Sequence, residues 1–219
     1  MIVVVDYKKG NLMSVERGLR AVGGDARISD DPAAIARASA IVLPGVGAFA
    51  DAAETMEELG QMTAIRERVR AGVPFLGICL GLHLMFEEGV EGTPGESDGT
   101  FSSNAHGLGL LPGVVRRMPR EDASGVAHKV PHVGWNTVEV ASSGCALLDG
   151  LPQNTYFYFT HSYIVPEGRS TVARTTHSVT FPSAAVFGDR AFGVQFHPEK
   201  SSDEGLRVLR NFVDIVKGA

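Results

Sequence analysis

Cys79 lies in the run Val73-Pro74-Phe75-Leu76-Gly77-Ile78-Cys79-Leu80-Gly81-Leu82-His83, and far downstream stands His197-Pro198-Glu199. These residue types can carry out nucleophilic attack on a carbonyl. A thiol becomes a competent nucleophile when a base generates thiolate and backbone donors receive the charge on the tetrahedral oxyanion. Cys79 is the candidate nucleophile and His197 the candidate base. Glu199, two residues on, can return to the other imidazole nitrogen and fix its tautomer. The Leu80 amide, directly after the nucleophile, is the natural first oxyanion donor. A second comes from the turn Pro44-Gly45-Val46-Gly47, where the Val46 and Gly47 amides can be turned toward a substrate.

Position depends on the elements that carry these residues. An apolar strand, a glycine-flanked nucleophile and a helix-like pattern through Leu84, Met85 and Phe86 make the order of a nucleophile elbow. The start of such a helix favours thiolate over thiol. Further strands are expected at Ile2 to Asp6, Ala40 to Leu43 and Val73 to Ile78. Helices are expected from Asn11 as cap through Val22, from Phe49 to Leu59 and from Met62 to Val69. Strands spaced by helix-length patterns imply an α/β chain with a mostly parallel sheet. In such sheets ligands gather at the carboxyl ends of strands, which places Cys79 and Pro44-Gly45-Val46-Gly47 on one edge. Glu87 to His106 reads as a surface loop. Later β-type runs cover Val130 to Val140, Tyr156 to Thr160, Thr171 to Thr175, Ala184 to Phe187 and Ala191 to Phe196. A last helix is expected from Ser202 to Val216. No linker or internal repeat divides the 219 residues, so one domain spanning 1–219 is expected.

Composition narrows the class. Hydrophobic residues make up 44% and charged residues 21%, ordinary for a globular enzyme. A formal charge of −5 argues against nucleic acid or an anionic membrane as the main partner. Two cysteines, Cys79 and Cys145, do not make a disulfide framework, and a thiol nucleophile suits a reducing compartment, so a cytoplasmic location is expected. Met1 to Asp6 is too short to span a membrane and lacks signal-peptide features. No metal-ligand spacing groups Cys145 with the histidines. His132, His161 and His177 are read as structural, and neither metal nor cofactor is expected.

In Gly77-Ile78-Cys79-Leu80-Gly81 and His197-Pro198-Glu199 the chain resembles the class I (triad) glutamine amidotransferases. Asp6-Tyr7, Gly10-Asn11-Leu12, Pro44-Gly45-Val46-Gly47-Ala48-Phe49, Val130-Pro131-His132-Val133-Gly134-Trp135-Asn136, His161-Ser162-Tyr163 and Gln195-Phe196-His197-Pro198-Glu199-Lys200-Ser201 narrow the resemblance. They are similar to the glutaminase subunits of histidine biosynthesis. The resemblance implies a three-layer α/β fold, a mixed central sheet with helices on both faces. It implies hydrolysis of L-glutamine through a cysteinyl thioester, with ammonia passed to a (β/α)8-barrel cyclase subunit in a heterodimer. It implies that Gly45, Gly47, His83, Ser162 and Tyr163 hold glutamine, and that Asn11, Trp135, Tyr158 and Lys200 lie near the cyclase. Two residues depart from the pattern. His83 replaces a usual glutamine and is expected to make glutamine affinity pH-dependent near neutrality, and Lys8 replaces a usual glycine. Glu91 to Asn104 is longer than usual and is assigned no role. The alternatives are a glutaminase for anthranilate or guanylate synthesis, a non-catalytic relative, and a stand-alone cysteine hydrolase.

Overall fold

Ile2-Val3-Val4-Val5 is buried on both faces, and its β-branched side chains suit a pleated central strand. This strand, β1 (Ile2–Val5), lies within a mixed sheet. The structure is a computed structural model that describes residues 1–96, 103–141 and 144–218. The first part of the chain continues as α1 (Leu12–Ala21), β2 (Ala26–Ser29), α2 (Pro32–Ala36), β3 (Ala40–Gly45), α3 (Phe49–Glu58), α4 (Gln61–Arg70), β4 (Phe75–Cys79) and α5 (Leu80–His83). Then come β5 (Phe86–Gly89), β6 (Ala105–His106), β7 (Leu111–Arg117), β8 (His132–Val140), β9 (Thr155–His161) and β10 (Tyr163–Ile164). The chain closes with β11 (Thr171–Thr176), β12 (Thr180–Phe187), β13 (Ala191–Val194) and α6 (Ser202–Lys217).

Among the described residues the main sheet runs β2-β1-β3-β4-β13-β12-β11-β8-β9, and a smaller one runs β10-β7-β5-β6. The main sheet is parallel from β2 through β13 and antiparallel from β13 through β9. Alternation along β1 divides the core. Ile2 and Val4 pack with Val15, Leu19, Leu209 and Phe212 of α1 and α6. Val3 and Val5 face the other way, toward Ile35, Ala52, Met56 and Ile65 of α2, α3 and α4. The result is three layers.

Register brings the candidate chemistry to one edge. Gly45 lies opposite Cys79, and Val194 lies opposite Ile78. The segments leaving β3, β4 and β13 therefore emerge together. Gly77 and Gly81 permit the reversal after β4. A β-carbon on Gly77 would lie 2.5 Å from the Gly81 carbonyl oxygen, and one on Gly81 would lie 1.8 Å from the Leu43 carbonyl oxygen. Both obstacles are backbone, so neither can swing aside. Gly81→Ala is accordingly expected to lower stability by about 3 kcal/mol or prevent folding, read as a fall in the thermal midpoint.

Several expected boundaries change. The pattern through Leu84 to Phe86 is not helical: α5 has four residues, and Phe86 opens a strand. Leu80, Leu82, Leu84 and Met85 are all buried, so a core-filling run imitated a longer helix. The aligned peptide dipoles of one turn are few, and the expected helix-terminal help to a thiolate is correspondingly small. The expected loop from Glu87 to His106 contains the end of β5, a 3-10 turn at Pro94–Glu96 and β6; within it, residues 97–102 lie outside the described residues. Strand β2 and helix α2 went unread because both are short. Asn11 stands at the cap of α1 but its side chain makes no capping hydrogen bond. Lys8 adopts φ +69°, the left-handed backbone a glycine would take freely. The Lys8 amide donates to Asp6 Oδ1 at 2.7 Å, and Lys8 Nζ pairs with Asp30 at 2.5 Å, holding the turn's shape.

Candidate active site

Cys79 ends β4 with φ +55° and ψ −106°, a strained conformation for a residue with a β-carbon. The strain turns the side chain out of the sheet at the strand's end while leaving the residue buried. Thr160 O lies 3.8 Å from the sulfur, and Gln195 Nε2 donates toward it at 3.7 Å.

His197 is held from two sides. Its amide donates to Tyr158 O at 2.9 Å, and its carbonyl accepts from Ser201 Oγ at 2.6 Å. Pro198 then starts the 3-10 turn Pro198–Lys200, which returns Glu199 to the ring. His197 Nδ1 donates to Glu199 Oε1 at 2.9 Å, with both side chains 3% exposed. Nε2 makes no hydrogen bond to a described residue. Burial opposes charge on the imidazole, but the Cys79 sulfur and the Glu199 carboxylate outweigh it and push His197 up to about 10. The ring is thus built to hold a proton beside the Cys79 sulfur.

A pocket of about 360 Å³ opens over the sulfur, and its lining includes Val46, Gly47, Leu80, His83, Ser162 and Tyr163. Gly47 has φ +105°, which a side chain would oppose. The first amide of α5, at Leu80, has no partner within its own helix. Gly45 is not on the pocket wall; it is covered by Tyr7, whose hydroxyl oxygen would lie 2.0 Å from an added β-carbon. A larger cleft of about 440 Å³, lined by Arg116, Arg117, Ile164 and Phe181 among others, contains neither thiol nor histidine.

His83 reaches the pocket in a state the sequence did not suggest. Its Nε2 lies 2.8 Å from Gln195 Oε1, and burial pushes its pKa down to about 4 although Gln195 pulls it up. The ring is neutral across the physiological range, so His83 does not supply the expected pH dependence of glutamine affinity near neutrality. Its titration falls near pH 4.

Three histidines fix the loop beside the pocket. The Tyr163 carbonyl can only accept, so His161 Nδ1 donates to it at 2.9 Å. His161 Nε2 then accepts from His132 Nδ1 at 3.0 Å, and His132 Nε2 accepts from Asn136 Nδ2 at 3.2 Å. His177 stacks on His132 with ring centres 4.3 Å apart. Burial holds His132 down at about 4, with His177 adding to the effect, and pushes His161 well below its usual value.

Trp135, Tyr158 and Lys200 are brought together on the exposed face of the β8–β9 edge. Trp135 pairs with Tyr158 in register, its ring 6.2 Å away edge-on, and Lys200 Nζ lies 5.7 Å from the centre of the Tyr158 ring. Trp135 is 52% exposed and Tyr156, on the same face, 60%. Asn11 is exposed at the start of α1, which packs against the Pro198–Lys200 turn.

Three residues of this site carry no individual role in the sequence analysis: Glu91, Gln195 and Tyr7. Glu91 lines the pocket, and burial raises its carboxyl to about 7 despite a hydrogen bond from the Phe49 backbone. It sits in an aperiodic polar stretch, so only burial sets it apart. Tyr7 is fully buried, and burial together with the Cys79 charge raises its hydroxyl well above the ordinary range. Among the described residues no cluster of three His, Cys, Asp or Glu side chains has a geometry that could hold a metal ion.

A strained cysteine at the end of a parallel strand, opening on a small pocket and interacting with a buried His–Glu pair that lies outside the pocket lining, is the arrangement of a cysteine-dependent amidohydrolase. The family model for glutamine amidotransferase class-I matches residues 3–216, and the chain belongs to that family. A relative from Moorella thermoacetica, named imidazole glycerol phosphate synthase subunit HisH, is 45% identical over 219 residues, covering 100% of this chain and 96% of its own length. A relative of the same name from Syntrophotalea carbinolica is 43% identical over 217 residues, covering 98% and 100%. A solved glutamine amidotransferase shares the fold with a TM-score of 0.71 at 22% identity, covering 99% of this chain and 100% of that one. Among the described residues no helix is long and apolar enough to cross a membrane.

Proposed function

We propose that this chain is the glutaminase subunit of an imidazole glycerol phosphate synthase, acting as one domain and serving histidine biosynthesis. The observation that carries this reading is 45% identity over the whole chain to a subunit of that name. The Cys79–His197–Glu199 geometry supports the chemistry. Cys79 thiolate attacks the side-chain amide carbon of glutamine, forming a C–S bond and an oxyanion. The oxyanion accepts from the Leu80 amide and from the Val46–Gly47 turn. His197 Nε2–H protonates the departing nitrogen, the C–N bond breaks, and ammonia leaves a glutamyl thioester. Water, deprotonated by His197, then attacks the thioester, releasing glutamate and restoring the thiolate.

In the same reading Gly47, His83, Ser162 and Tyr163 shape the glutamine site, while Gly45 packs against Tyr7 off the pocket wall. Glu91 joins the site, because a half-buried carboxyl is well matched to the substrate's α-ammonium, whose charge would restore its ionised form. The aromatic face formed by Trp135, Tyr156 and Tyr158, with Lys200 and Asn11 beside it, is where a (β/α)8-barrel cyclase docks. Exposed aromatic side chains of this size are what interfaces use as anchors.

Ammonia release from glutamine, measured with and without the cyclase subunit carrying its ligand, tests this. The isolated chain is expected to be weakly active and to gain about tenfold or more in the complex, the scale of coupling between sites. Equal activity alone and with the cyclase would overturn the partnership. Inactivity in both states would overturn the glutaminase reading.

A further inference from the structure

Gln195 follows β13 directly and is fully buried, and the chemistry described above makes no use of it. Among the described residues its carboxamide has two side-chain partners. His83 Nε2 is 2.8 Å from Oε1, and Cys79 Sγ is 3.7 Å from Nε2. The direction of this chain follows from the groups themselves. An amide oxygen only accepts, so His83 Nε2 carries the hydrogen, and the amide nitrogen is left to donate to sulfur. His83 Nδ1, which has no described partner, is then a bare lone pair. Reversing the amide would place a hydrogen on that nitrogen, burying a donor without an acceptor. It would also turn a carbonyl oxygen toward the sulfur that must become an anion. Both changes cost free energy.

We propose that Gln195 donates a hydrogen bond to the Cys79 sulfur as it becomes thiolate, and that His83 is the positioning residue that holds the carboxamide in that orientation. This rests on the glutaminase reading above. A donor from a side chain supplies what the single turn of α5 supplies only weakly, and it meets a charge that His197 balances from its own strand end. His83 suits the task because it stays neutral, so it presents one donor in a fixed place rather than a second cation competing with His197. The other titratable groups around the sulfur are His197 with Glu199 behind it, Tyr7, whose hydroxyl stays protonated, and His161 of the pocket wall, which burial keeps neutral. Glu91 lines the same pocket.

The test is the pH profile of Cys79 alkylation by iodoacetamide in the full chain, from about pH 5 to about pH 10, resolved by peptide so that Cys145 is scored separately. Gln195→Leu is expected to slow alkylation at neutral pH by about tenfold, the scale of one hydrogen bond to a charged group, and to move the midpoint upward by about one pH unit. His83→Leu should move it the same way by less. His83→Gln, which can donate an amide hydrogen to Gln195, should restore the original profile. In the complex, Gln195→Leu should lower kcat while leaving KM for glutamine nearly unchanged. Gln195→Met carries the same expectation if the leucine variant does not fold. Superimposable profiles for a folded Gln195 variant and the unaltered chain would overturn the proposal. A shift in the Gln195 variant with none in His83→Leu would overturn the part assigned to His83. Failure of the unaltered complex to release ammonia from glutamine would overturn the glutaminase reading instead, and the alkylation profile would still judge this one.

Discussion

Cys79→Ala is expected to abolish ammonia release from glutamine, by about a thousandfold or more, because no covalent path remains and the other groups of the unit cannot act alone. The same complex supplied with ammonium salts should still support the cyclase reaction, since the substitution touches only the pocket side of this subunit. Alanine removes one sulfur from a buried site and relieves none of the φ +55° strain, so the fold should survive. Measuring glutamine-dependent and ammonium-dependent synthesis in parallel therefore separates lost chemistry from lost assembly. Equal loss of both would mean that Cys79 acts through structure, and retention of the first would remove it as nucleophile.

Glu199→Gln is expected to reduce glutamine turnover by about a thousandfold or more without disturbing packing. The carboxylate at 2.9 Å requires hydrogen on His197 Nδ1, leaving Nε2 free to take the thiol proton. A carboxamide that turns its own N–H to Nδ1 forces hydrogen onto Nε2, and the base is lost. Charge changes as well as tautomer. Cys79 and Glu199 push His197 up to about 10 against burial, and without the carboxylate the upward push is smaller. The stability consequence has a definite sign. A histidine whose folded pKa is raised stabilises the native state fully below its unfolded value, near 6.5. That contribution is lost as pH rises toward 10. The thermal midpoint of the unaltered chain should fall across this alkaline window, and that of Glu199→Gln should fall less. Parallel curves would show that the two side chains are not coupled.

The exposed aromatic face on β8 and β9 and the buried chemistry at the strand ends share elements. His197 hydrogen-bonds the backbone of Tyr158, and Lys200 sits over that tyrosine's ring one residue beyond Glu199. A partner pressing on Tyr158 and Lys200 would thus bear directly on the two ends of the His–Glu turn.

The elements most visible in the sequence were those with strong local signals. The apolar runs of β1, β3 and β4 and the amphipathic α3, α4 and α6 could be placed within a few residues, because burial on one or both faces imposes a period that side chains must obey. Short elements without such a period, β2 and α2, were not legible, and the buried run from Leu80 to Met85 passed for a longer helix. Cys79, His197 and Glu199 were legible because each sits in a turn that particular residues enforce. Gly77 and Gly81 leave room for backbone, and Pro198 fixes the return to the ring. Spacing alone could not reveal Gln195 beneath the sulfur or Glu91 on the pocket wall, nor the neutral, donating state of His83. Those depend on which strands become neighbours and how much water they exclude. Residues far apart in the chain meet only when β4 and β13 pair, and only the resulting burial sets what each group does with its proton.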